Sequence, residues 1–163
     1  MSRSRHHRKG QVAVEVLFIT AIILTGILII VPAYLDENRE ISTVTYVKTS
    51  ASHACTYLNA GVIVNTKDGI YDPLNSIITA SDYTYTAFRV TSITTSKAGN
   101  TMTVKVTISY SGMVAMEPEQ IETNILRFIV NDISRNTDAQ KVTDQTLNIN
   151  GETVIIEVNV VRT

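Results

Sequence analysis

The chain has 163 residues, a formal net charge of −1, one cysteine and no tryptophan. A single cysteine excludes an intramolecular disulfide, so an exported domain has to be held by its core or by neighbouring copies. Arg3, Arg5, Arg8 and Lys9 put four positive charges in the first ten residues and leave the remainder at −5, so no broad cationic face points to nucleic acid.

Behind the basic leader, Val16 to Leu35 is a run of twenty residues without a charge. At ~1.5 Å per residue it makes a helix of about 30 Å, enough to cross a bilayer core. Asp36, Glu37 and Glu40 follow it, so the leader should stay cytoplasmic and the rest should lie outside. A permanent membrane anchor and a secretory signal peptide cut after Val31-Pro32-Ala33 are two readings of this pattern. Length and the carboxylate of Glu15 argue against the second, since signal h-regions run about 7–15 residues and exclude acids. Within lipid, Glu15 costs on the order of 2–4 kcal/mol and needs a partner. A cut between Gly10 and Gln11 would supply one, because the new α-amino group is a cation. Glu15, one turn further on, could then neutralise that amine on an adjacent subunit.

Arg8-Lys9-Gly10-Gln11-Val12-Ala13-Val14-Glu15-Val16-Leu17 resembles the class III signal peptide of archaeal type IV pilin-like proteins. The shared pattern is a basic leader, Gly, Gln, Glu four residues after the Gln, and a long apolar helix. Ala13 departs from it, since such families often have Ser there. The resemblance covers residues 3–35. It implies removal of residues 1–10 by a membrane-embedded prepilin peptidase, with Gly10 before the cut and Gln11 as the mature N-terminus. It further implies storage in the cytoplasmic membrane and extraction by an assembly ATPase and its membrane platform into a helical homo-oligomeric filament. Gln11, Glu15, Leu17, Phe18 and Pro32 are the assembly residues on this view. Pro32 marks either a kink or melted turn, or the end of the membrane helix.

Residues 36–60 place Ile41, Val44, Val47, Ala51, Ala54, Cys55 and Leu58 at three- and four-residue spacings. That predicts an amphipathic continuation of the helix packed on the head, with Gly61 as its stop. Lys67-Asp68-Gly69 and Asp72-Pro73 read as turns. Residues 83–95 and 101–110 predict a β-hairpin, the second arm alternating strictly from Met102 to Tyr110. Residues 117–135 set Ile121, Ile125, Phe128, Ile129 and Ile133 on one face of a second helix. Residues 143–162 fold about Asn150-Gly151, the strongest two-residue hairpin signal.

The expected architecture is therefore α+β: a cleaved leader 1–10, an apolar helix 11–35, its amphipathic continuation 36–60, and a head 61–163. The head should be a small antiparallel sheet of five or six strands with one additional amphipathic helix.

Catalytic and metal-binding patterns are not found in the sequence. His6 and His7 add charge to the leader, while His53 and Cys55 lie two residues apart on a helix and face away from each other. Cys55 reads as a packing residue. Asp68, Asp72 and Asp82 do not match the EF-hand spacing and read as solvated turn acids. Tyr71, Tyr83 and Tyr85 could form an adhesive patch but are expected half in the core, as strand tyrosines usually are. The expectation is a non-enzymatic filament subunit without a cofactor, exposed on the cell surface for adhesion. The alternatives are a membrane-anchored protein whose head binds a sugar or surface ligand, and a secretion pseudopilin.

Overall fold

The computed structural model describes residues 4–163, and describes the side chains of residues 13–32, 34, 35 and 37–163. It is an α+β fold with a long N-terminal helix, a five-stranded, mostly antiparallel sheet and further helices. The chain divides into two compact units, Met1–Ile41 and Ser42–Thr163, and helix α1, Ser4–Ala60, contributes residues to both.

In the second unit the apolar stripe of α1 is the face that is buried. Val47, Ala51, Ala54, Cys55 and Leu58 are all enclosed, and Val44 is half-buried. Burying a side chain such as Leu58 contributes about 1.5–3 kcal/mol, which offsets the low helix propensity of the Ser and Thr residues between. The helix stops at Gly61, whose φ of 63° lets its N–H turn back to the Leu58 carbonyl at 3.2 Å. Just before that stop, Asn59 acts as a strand would: its side-chain amide accepts from Phe88 N at 2.6 Å and donates to Phe88 O at 2.9 Å.

The sheet comprises β1 (Ala87–Ala98), β2 (Thr101–Ser111), β3 (Gln140–Lys141), β4 (Thr146–Ile149) and β5 (Glu152–Arg162), in the order β1-β2-β5-β4-β3. β1 and β2 form the first hairpin, with a bulge between Val90 and Ser92. β4 and β5 form the second, where Asn150 and Gly151 have φ of 53° and 84°, the two positive values a type I′ turn requires. One inner face of the sheet carries Met102, Val104, Val106 and Ile108 from β2 and Val154 and Ile156 from β5, all buried. Helix α3, Pro118–Asn136, packs chiefly on β5 and buries Ile121, Ile125, Phe128, Ile129 and Ile133. Pro118 opens that helix, where its missing N–H is not needed, and Arg135 sits in the last turn against the negative end of the dipole.

The structure departs from the sequence pattern at four places. β2 and β5 run parallel, from Thr101 opposite Thr153 to Tyr110 opposite Arg162, so the sheet is not antiparallel throughout. Alternation looks the same in either direction, and the chain between these strands provides the long crossover that a parallel pair needs. Asp72–Ala80 is a helix, α2, where a turn was expected; Pro73 begins it, and Leu74, Ile77 and Ile78 are buried along it. The head thus has two helices beyond α1. The first strand begins at Ala87 rather than at residue 83, because Asp82 and Tyr83 take positive φ of 51° and 54° and turn the chain there. The two-residue β3, which has no alternating pattern to announce it, pairs with β4.

Candidate functional site

The stretch from Ala13 belongs to the one helix, among the described residues, that is long and apolar enough to cross a membrane. Between Val14 and Leu35 its large apolar side chains are exposed: Leu17 is 71% and Phe18 66% accessible. Apolar surface on this scale marks a segment that meets lipid or a protein partner. Its two threonines do not interrupt it, since Thr20 and Thr25 each donate a hydroxyl hydrogen bond at 2.8 Å to the carbonyl four residues earlier, Val16 O and Ala21 O. Their polarity is absorbed inside the helix, as a spanning segment requires.

Glu15 is exposed within this surface. Pro32 lies inside α1, not at its end, so the backbone there lacks one N–H and the helix nevertheless continues. Gly10 and Gln11, the residues expected to flank a cut, have side chains outside the described residues, as do His6 and His7.

The candidate residues of the head sort differently. Cys55 is buried, and burial pushes its thiol up from the ordinary 9.0 to about 12. The neutral thiol is therefore the form that folding favours: its contribution to stability is full below pH 9 and falls as pH rises towards 12. Alkylation by iodoacetamide at pH 8 is expected to be at least tenfold slower in the native protein than in urea, as read by intact mass. Equal rates would remove Cys55 from the core.

Asp68 is held well below the usual carboxylate range by its hydrogen bond from Arg135 at 2.6 Å. That contribution is present above the usual range and lost as pH falls, and solvent screening keeps it small. Asp72 sits beside Gly69, where a Cβ would meet its carboxylate oxygen at 2.6 Å. Asp82 lies in the positive-φ turn. Among the described residues, no group of three His, Cys, Asp or Glu is placed to hold a metal ion.

Of the three tyrosines, Tyr71 alone is part of the packing, stacked on Tyr57 at 4.5 Å. Tyr83 and Tyr85 are 62% and 81% exposed, against the expectation of half-buried strand residues, because the strand starts after them.

His53 turns away from Cys55 and towards α3, with Nδ1 3.8 Å from Asp132 Oδ1 and its ring edge-on to Phe128 at 5.4 Å. The sequence pattern did not single out Asp132 or Ser50. Asp132 is a polar residue of α3, and only the packing of α3 against α1 brings it to His53. No family model, curated protein or solved structure matches the chain.

Proposed function

We propose that the chain is a type IV pilin-like subunit of an archaeal surface filament, cut between Gly10 and Gln11 and assembled through its N-terminal helix. The exposed apolar surface from Val14 to Leu35, carrying the single carboxylate Glu15, is the observation that supports this reading most. Lipid and a bundle of like helices are similarly apolar, so moving this surface from membrane to filament core opposes no large hydrophobic penalty. Leu17 and Phe18 then pack against neighbouring helices, and Glu15 meets the Gln11 amine of an adjacent copy. Such a pair is favourable only when both charges find each other, which ties membrane exit to correct assembly. Pro32, whose position leaves the Leu28 carbonyl without its helical donor, is where the assembled helix can bend.

On this reading the peptidase acts on the cytoplasmic side, and an assembly ATPase with its membrane platform drives extraction. The β-rich head faces outward as the adhesive exterior of the filament. The test is the N-terminus of protein from the native host. Intact mass and N-terminal sequencing are expected to show a chain starting at Gln11. A chain starting near Met1 would mean a permanent anchor, and one starting at Tyr34 a conventional signal peptide. Either result ends the pilin reading.

A further inference from the structure

The face on which α3 meets α1 holds a groove of about 480 Å³. Tyr46, Thr49, Ser50 and His53 of α1 and Asp132 and Ile133 of α3 line it, all within the second unit. Two polar groups in this lining are left incompletely satisfied. Ser50 is 2% exposed, and its Oγ has no hydrogen-bond partner. The Asp132 side chain is only 12% exposed, and the one hydrogen bond it accepts comes from Asn136 Nδ2 at 2.9 Å to Oδ1. His53 Nδ1, at 3.8 Å, is beyond hydrogen-bond reach of that carboxylate. A buried hydroxyl is normally satisfied by a hydrogen bond, and Ser50 Oγ is not.

Whatever fills the groove must therefore bring several donors and suit a negative charge. No lysine or arginine is among its lining residues. Arg135, which borders the adjoining depression, is already bound to Asp68 at 2.6 Å. The groove thus disfavours an anion. Its walls also include the Tyr46 and His53 rings and Ile133, which suit an aliphatic stem. A primary ammonium has three donors, no acceptor and one positive charge, and so complements a carboxylate and an unpartnered hydroxyl that line one groove. We infer that this groove binds a primary alkylammonium group, with Asp132 as its counter-ion and Ser50 Oγ as a second acceptor. The inference does not depend on the filament reading, and its test is independent of where the chain is cut.

The test is calorimetric titration of the full chain in detergent micelles with hexylamine, 1,6-diaminohexane, Nα-acetyl-lysine methylamide and hexanol. Saturable binding of the amines, with none by hexanol, is the expected result. Asp132→Asn is expected to weaken amine binding roughly tenfold or more, and Ser50→Ala by about two- to tenfold. Tighter binding of the free amines than of the acetyl-lysine amide identifies a small-molecule ligand, and the reverse order identifies a lysine side chain. Equal binding of hexanol and hexylamine to the unaltered chain would overturn the inference without recourse to any variant. So would full amine affinity in Asp132→Asn, or no saturation by any of the amines.

Discussion

Glu15→Ala is expected to eliminate thin filaments from sheared cell-surface material while the subunit still accumulates in the membrane. The two halves of that result have different physical origins. In lipid, removing a carboxylate relieves a penalty of about 2.5–3.5 kcal/mol, so residence there should not suffer. In the proposed filament, the same change would strand the Gln11 amine of a neighbour, and a buried charge stripped of its partner costs about 3–5 kcal/mol. Helical assembly repeats that loss at every subunit, so a modest local penalty becomes failure to grow. Glu15→Gln keeps the shape and removes the charge, and should fail similarly. Electron microscopy of sheared material together with immunoblots of the membrane fraction reads both halves. Normal filaments from Glu15→Ala would remove the carboxylate from assembly.

The largest expected effect on the head is that of Phe128→Ala, about 3–5 kcal/mol of lost stability. Phe128 is fully buried, faces the His53 ring at 5.4 Å and lies 5.7 Å from Tyr71, which in turn stacks on Tyr57. Truncation leaves a void that neither α1 nor α3 can close without moving its neighbours. Tyr57 also holds the chain after α1, donating to Asn75 Oδ1 at 2.6 Å and accepting from Val64 N at 2.8 Å, so loosening the aromatic cluster also loosens that loop. Urea unfolding followed by near-ultraviolet dichroism of the tyrosines should show a lower midpoint with little change of slope. A loss under 1 kcal/mol would mean that the site collapses and that the aromatic cluster is not what joins these elements.

Much of this fold is visible in the order of residues, and the exceptions have physical causes. The stripe of α1 from Val44, the face of α3 and the Asn150-Gly151 turn follow from periodicity and turn chemistry, which are local. Asp72-Pro73 reads as a turn and opens a helix instead, since proline suits a turn and a first helical turn equally; Leu74, Ile77 and Ile78 at helical spacing are the signal that the turn reading passed over. The direction of β5 against β2 has no local signature, because a strand's alternation does not record which neighbour it pairs with. The groove was the least visible feature. Ser50 and Asp132 are far apart in the chain, and each alone is an unremarkable polar residue on a helix. The long apolar helix near the N-terminus was the most legible element, because its unbroken apolarity is contiguous in the chain.

The placement of β5 has a consequence for how the head forms. This strand follows every other strand in chain order, yet it stands at the centre of the sheet, between β2 and β4. During synthesis, β1 and β2 can close on each other early. β2 then waits for Glu152–Arg162 before its second edge is covered. Until those residues arrive, the buried faces of α1 and α3 lack part of their support and the β2 edge is open to other chains. Copies of the chain emerging side by side would therefore be most prone to mispair just before completion, and a chain stopped short of β5 would lack the middle of its sheet rather than its margin.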